Sequence, residues 1–213
     1  MSNDGTDICL SPYQVAIGPS LDGLHPELSA YFSSIPRGYT GIGRGTWDRV
    51  GTPRRWLWPV LWLLAKEGIV FPVWGQGVPF TVRNSPDSSG DGPSVRAYRT
   101  FSFPSGDRVM VDCIGLDKHG LVDTLGRTGR LVARLEPSII DGTLAMRSTS
   151  LLVRFGRRHL TVPQGLAPWV ELTESFDDTR KRQHVALTLT APVIGRIYEY
   201  SGYFDYAIER VEG

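Results

Sequence analysis

The sequence predicts a mainly β protein: a curved antiparallel sheet closing into a β-barrel-like fold, with N-terminal helices covering or plugging it. Three observations lead there. From Asp107 to Glu209, short stretches of Val, Leu, Ile, Phe, Tyr and Thr recur between turn signals, which is how consecutive strands read. No helical crossover pattern separates them, and this argues against a parallel α/β sheet. Closing such a meander removes the sheet edges that would otherwise stand exposed. What fills the interior then decides the function, because side chains alone make a core and a cavity makes a ligand site.

Composition sets outer limits. A chain of 213 residues, 41% hydrophobic and 21% charged, is long and apolar enough for one barrel with a sizeable core. Residues 1–10 are expected to form a flexible N-terminus and residues 11–213 a single barrel-like domain with an N-terminal helical region. Twenty-three basic residues against 22 acidic ones leave a charge of +1, which exerts no long-range pull on nucleic acid, so none is expected as a partner. Cys9 and Cys113 make no disulfide or metal framework. They are expected as one flexible thiol and one buried thiol in a reducing cytoplasm. The first nine residues lack the basic-then-apolar order of a signal peptide. The longest apolar run, Trp56 to Ala65, is half of the about twenty residues that a membrane span needs. A soluble, cytoplasmic protein is therefore expected.

In chain order, Ser11 or Asp7 can cap a helix from Pro12 to Ile17, since proline at a helix start loses no bond it would otherwise make. A second helical piece runs from Pro26 to Phe32. Gly41-Ile42-Gly43-Arg44-Gly45 has the density of a phosphate loop but neither the preceding strand nor the following helix. A bulged strand, Gly43 to Val50, with Trp47 packed inward fits it better. Thr52 can cap a helix that begins at Pro53 and stops at Gly68. Apolar side chains lie all round that helix. Three roles stay open for residues 54–66: a cover over the sheet, a homodimer contact, or a peripheral membrane contact with Arg54, Arg55 and Lys66 at its ends. A loose strand follows from Phe71 to Arg83, and Asn84 to Pro93 reads as a flexible loop.

The later strands are expected at Val95–Phe103, Arg108–Leu116, Leu121–Leu125, Arg130–Leu135, Thr143–Met146, Ser150–Phe155, Leu160–Val162, Trp169–Phe176, His184–Thr190 and Ile197–Ile208. Asp177-Asp178-Thr179-Arg180 makes a polar hairpin between two of them.

Several segments in order resemble one bacterial family. They are Tyr13-Gln14-Val15-Ala16-Ile17-Gly18, Leu24-His25-Pro26-Glu27-Leu28, Gly43-Arg44-Gly45-Thr46-Trp47, Val78-Pro79-Phe80-Thr81-Val82, Tyr98-Arg99-Thr100-Phe101 and Pro163-Gln164-Gly165-Leu166-Ala167-Pro168. The tail from Pro192 to Phe204 (PVIGRIYEYSGYF) is the most specific of them. The chain resembles the domain-of-unknown-function family DUF4166 over nearly its whole length. The resemblance implies one compact domain and no particular reaction, since members also occur fused to dehydrogenase-like domains. Two positions depart from the family pattern. Tyr31-Phe32-Ser33-Ser34 stands where a histidine often follows the first leucine-rich helix, and Tyr98 stands where a tryptophan commonly opens the arginine-phenylalanine motif.

Chemistry is sought among polar residues that strand alternation can turn inward. Asp112 shares a face with Met110 and Ile114, and burial there would raise its pKa as suits a general acid; the alternative is exposure, with Val111 and Cys113 buried. Glu171 shares a face with Trp169 and Thr173, either inward or at the rim. Arg99 alternates with Tyr98 and Thr100, and if buried it needs a carboxylate or an anionic ligand. These three are the candidate catalytic residues. Trp47, Tyr98, Trp169, Tyr198 and Tyr200 are the candidate ligand-binding residues, because Tyr198 and Tyr200 share one face of an aromatic-rich tail and can wall an apolar pocket. His25, His119, His159 and His184 have no metal-site spacing, and Ser20, Ser29 and Ser150 no nucleophile-elbow setting. No metal or cofactor is expected. Arg154, Arg157, Arg158 and Arg180-Lys181-Arg182 are basic strings able to meet phosphate groups. The expected function is binding, and with it cyclisation or isomerisation, of an apolar polyketide- or terpenoid-like metabolite. The alternatives are a noncatalytic lipid- or membrane-associated accessory protein and a structural interaction module.

Overall fold

A computed structural model describes residues 10–87, 92–156 and 158–211. Cys9, Arg157, the greater part of the expected flexible N-terminus and residues 88–91 of the expected loop lie outside the described residues. The helical parts are α1 (Pro12–Ile17), 3-10 turns at Gly18–Gly23 and Pro26–Leu28, α2 (Ser29–Phe32), a 3-10 turn at Arg55–Leu57 and α3 (Trp58–Glu67). The strands are β1 (Tyr39–Gly51), β2 (Trp74–Gly75), β3 (Val78–Pro86), β4 (Val95–Phe103), β5 (Gly106–Asp117) and β6 (Gly120–Leu125). They continue with β7 (Leu131–Ile140), β8 (Thr143–Phe155), β9 (Arg158–Thr161), β10 (Trp169–Asp177), β11 (Arg182–Ala191) and β12 (Gly195–Arg210).

Ten of these strands close a ring of antiparallel pairs, β1-β3-β4-β5-β6-β7-β8-β10-β11-β12, with β12 returning to β1; β2 and β9 are extra pairings on β1 and β8. The fold is a closed β-barrel, as the strand pattern predicts.

Residues Thr143–Met146 and Ser150–Phe155 belong to one strand, because Arg147 and Ser148 continue the pairing and Thr149 is absorbed in a bulge opposite Arg134 and Leu135. β3 continues three residues into the expected loop, with the Asn84 side chain buried and Thr40 Oγ1 donating to its carbonyl at 2.9 Å.

β1 explains the glycine cluster. Gly41, Gly43 and Gly45 all face inward, and a Cβ at these positions would collide with Tyr206, with Val82 and Phe204, and with the Tyr203 backbone, respectively. The glycines therefore let the large rings of β12 lean across the barrel wall. The bulge between Trp47 and Arg49 re-aims the strand so that both Trp47 and Val50 point inside, buried to 1% and 0% exposure.

Each end of the barrel has its own cover. At the end where β1 begins, α1 is capped by Ser11, whose Oγ accepts from Gln14 N and donates to the Phe32 carbonyl, tying α1 to α2. This segment places Tyr13, Leu28, Tyr31 and Phe32 in the core, with Leu28 and Phe32 at 0% exposure. It is clasped to the rim by a Leu24–Gly142 bridge, by His25 N–H donating to Gly142 O at 3.0 Å and by the His25 ring stacked on Phe176. At the other end, α3 spans from Arg54, whose Nε donates to Arg196 O, to Glu67, whose carbonyl accepts from Arg127 N. Gly68 takes the left-handed conformation that stops α3. Leu57 and Leu61 are its buried face, and Val70 and Phe71 follow them into the core.

Candidate ligand site inside the barrel

Inside the barrel an aromatic stack surrounds a small polar cluster. Trp47 lies flat on Phe80 with ring centroids 3.7 Å apart and touches Tyr200 at 4.6 Å, while Phe71 packs edge-on to Phe101 at 5.2 Å. Tyr198 and Tyr200 both point inward at 0% and 5% exposure.

Among the candidate site residues, the structure brings together Trp47, Arg99, Asp112, Tyr198 and Tyr200 in the interior. On β4, Ala97, Arg99 and Phe101 take the inner face. On β5, Met110, Asp112 and Ile114 do so. Arg99 Nη1 donates to Asp112 Oδ1, an ion pair held inside the barrel. Desolvation opposes the charge on Arg99, but Tyr200, Tyr31 and Asp123 outweigh it and its pKa stays raised.

Three candidates stand elsewhere. Glu171 is on the outer wall, exposed and 4.0 Å from Arg147. Trp169 shares that outer face, because Val170, Leu172, Glu174 and Phe176 supply the inner one. Tyr98 is 42% exposed, since its neighbours Ala97 and Arg99 occupy the inside. None of the three lines the interior. Cys113, expected to be buried, is half-buried on the outside, where its Sγ lies 3.4 Å from Asp87 Oδ2; burial and then Asp87 push its thiol up to about 11.

Strand alternation also carries two acids that the sequence reasoning passed over. Asp123 interrupts the inner row Leu121, Asp123, Leu125 of β6 and lies diagonally from Asp112 across the β5–β6 pair. Glu174 interrupts the inner row Leu172, Glu174, Phe176 of β10 and accepts from Gln183 Nε2. Desolvation raises both acids to about 7, against the pull of Arg99 and, for Glu174, of Gln183. A carboxyl breaking an otherwise apolar inward row was the available signal. Tyr31, supplied by α2, was invisible to strand alternation.

Arg99 on β4 and Glu174 on β10 come from diametrically opposite strands of the ring. Between them lies a cavity with about 20 Å³ of room for the centre of a water molecule, walled by Tyr31, Trp47, Phe80, Leu172, Tyr200 and Phe204. That is space for one water. Asp112 Oδ2, Asp123 Oδ1 and Trp47 Nε1 are buried without a hydrogen-bond partner among the described residues; Trp47 lines the cavity, while the two carboxyls stand on β5 and β6 beside Arg99. No grouping of His, Cys, Asp and Glu suited to a metal ion occurs among the described residues.

The model of the family described as "Domain of unknown function (DUF4166)" matches residues 24–204. The chain belongs to the DUF4166 family. This DUF4166 chain is also similar to the uncharacterized protein YndH of Bacillus subtilis (strain 168), 22% identical over 190 residues in an alignment covering 85% of this chain and 90% of that protein. No solved structure matches the chain at a significant level. The matched span begins at Leu24, just ahead of the segment that carries Leu28, Tyr31 and Phe32, and ends at Phe204 within β12, so it covers most of the barrel and the second half of the plug but not α1. The inward Arg99, Phe101, Tyr198 and Tyr200 all fall inside it.

Proposed function

We propose that the protein is a small-molecule-binding barrel whose ligand sits on the axis between Arg99 and Glu174. The observation that carries this is the Arg99–Asp112 pair facing Asp123 and Glu174 within an aromatic enclosure. A purely structural core gains little from four ionisable groups there, because each must be desolvated. The chemistry of the lining selects a medium-sized, largely apolar molecule with an oxygen function, of the polyketide or terpenoid kind. Its rings would lie against Trp47, Phe80 and Tyr200, and its oxygen would face Arg99.

The cavity admits one water, so a larger ligand requires the plug of α1 and α2 to withdraw. That segment supplies Tyr13, Leu28, Tyr31 and Phe32 to the core, yet no strand of the ring depends on it, and it is the part of the enclosure able to move without breaking the barrel.

The same groups suit isomerisation or cyclisation. Near neutral pH Asp123 and Glu174 exchange protons readily. One can protonate a ligand carbonyl oxygen while the other, ionised, removes a proton from the adjacent carbon, so that the double bond moves with no net gain or loss of protons. Holding a flexible molecule folded against the aromatic walls would lower the barrier further.

A panel of apolar metabolites tested by thermal unfolding of the full chain should contain compounds that raise Tm. The shift should disappear in Tyr200→Ala provided that variant keeps the wild-type far-UV spectrum. No stabilising compound for either the wild type or a plug-loosened Phe32→Ala variant would leave the interior as a core alone.

A further inference from the structure

We infer that the α3 end of the barrel docks on an anionic lipid bilayer. The buried side of α3 runs through Leu57, Leu61, Leu64 and Ala65. The rest of its circumference shows Trp56, Trp58, Val60, Trp62 and Leu63 to solvent, with exposures from 39% to 62%. Lys66 lies over the Trp62 ring at 3.8 Å, placing a cation beside the apolar face.

Other apolar side chains stand exposed on the same half of the barrel. Phe155, Leu160 and Leu166 are each more than 60% exposed, and they come from the end of β8, from β9 and from the connection into β10. Val193, at the tip of the β11–β12 turn, is fully exposed. It holds a φ of 65° with Ile194 N–H donating to Pro192 O at 2.6 Å. This is the strained three-residue turn, and a β-branched residue seldom accepts it. An apolar tip held outward at such a cost fits a surface that becomes covered.

Charge selects the occupant. The connections at this end carry Arg54, Arg55, Lys66, Arg127 and Arg130, with Arg158 opening β9; the acids beside them are Glu67, which accepts from Thr128 Oγ1 at 2.6 Å, and Asp107 at the start of β5. The opposite end mixes the two signs, with Asp22, Glu27, Asp117, Asp141 and Asp178 standing among Arg37, Lys118, Arg180 and Lys181. A molecule with a formal charge of +1 thus carries its unbalanced cations at the end where Trp56, Trp58 and Trp62 are exposed. Tryptophan prefers the headgroup level, and long basic side chains reach lipid phosphates while their stems stay in the apolar layer. No helix among the described residues is long and apolar enough to cross a membrane, so the mode is one of lying on the surface. This geometry is independent of the interior site.

The test is co-sedimentation of the full chain with vesicles of phosphatidylcholine alone and of phosphatidylcholine with 30% phosphatidylglycerol, as a design composition of about that value. Binding should be at least about tenfold stronger on the anionic vesicles and should weaken as salt rises. Trp62→Ser with Leu63→Ser should lower it at least about tenfold while the thermal unfolding curve stays in place, and Arg54→Glu with Arg55→Glu should remove the preference for anionic lipid. Absence of binding to anionic vesicles overturns the inference. So does binding that ignores both double variants, or a dimer that Trp62→Ser with Leu63→Ser converts to monomer without any vesicle association, which would assign this face to a second copy of the chain.

Discussion

Asp123 and Glu174 hold their protons to about pH 7 in the folded barrel, against ordinary values of 3.8 and 4.5. Between about pH 4 and pH 7 the folded state therefore binds more protons than the unfolded chain. Stability falls as pH rises through that window and levels off above it. Asp123→Asn should flatten the decline and stabilise the protein at pH 8 by on the order of 1–3 kcal/mol, with little gain at pH 4. Urea unfolding at the two pH values measures this; an equal effect at both would mean that Asp123 is ionised inside the barrel. Arg99→Met works in the other direction. It strands Asp112 in the core and should cost about 3–5 kcal/mol, whereas Glu171→Gln on the outer wall should stay within about 0.5 kcal/mol of wild type. The inner position of Arg99 was left open by the sequence, because Tyr98 on the opposite face is as apolar as Phe101 on its own and either face could turn inward. Asp112 could not be settled by alternation either, because Val111 and Cys113 offer an equally apolar opposite face and only the pairing with Arg99 chooses between them.

At the scale of elements, β1 and the plug carry the specificity of the fold. Gly43→Ala places a methyl group against Val82 and Phe204 and should destabilise by about 1–3 kcal/mol, read from the denaturant midpoint with an unchanged slope. An unaltered midpoint would show that the rings of β12 are free to retreat. Ser11→Ala removes both the α1 cap and the donor to the Phe32 carbonyl. It should cost about 1–3 kcal/mol and speed amide exchange in residues 12–32 more than in the strands. The helix Pro12–Ile17, its Ser11 cap, the strand with its bulge at Trp47 and the stop at Gly68 were all legible, because each follows from local chemistry. Trp169 and Glu171 were misplaced because the large apolar ring of Trp169 drew attention to a face that is otherwise Glu171, Thr173 and Ser175, while the acid Glu174 interrupts the inner row of Val170, Leu172 and Phe176. Nor could helical periodicity show that α3 keeps only Leu57, Leu61 and the residues beside them inside. That division depends on the rim it spans, from Arg196 to Arg127.

For the whole molecule, the barrel is closed laterally by its ten-strand ring and axially by two unlike covers: a plug clasped through Leu24 and His25, and α3 with its tryptophans outward. Ring closure was predictable from the meander; the near-complete filling of the interior was not, because Tyr13, Leu28, Tyr31 and Phe32 enter it from outside the sheet. On the proposed reading, the plug governs access to the polar cluster. The most direct test is a crystal structure of the protein grown with the metabolite that stabilises it most. The account predicts that the ligand lies between Arg99 and Glu174, against Trp47 and Tyr200, with α1 and α2 shifted outward. A ligand bound elsewhere, with Tyr31 and Phe32 still seated and the one-water cavity unchanged, would contradict it.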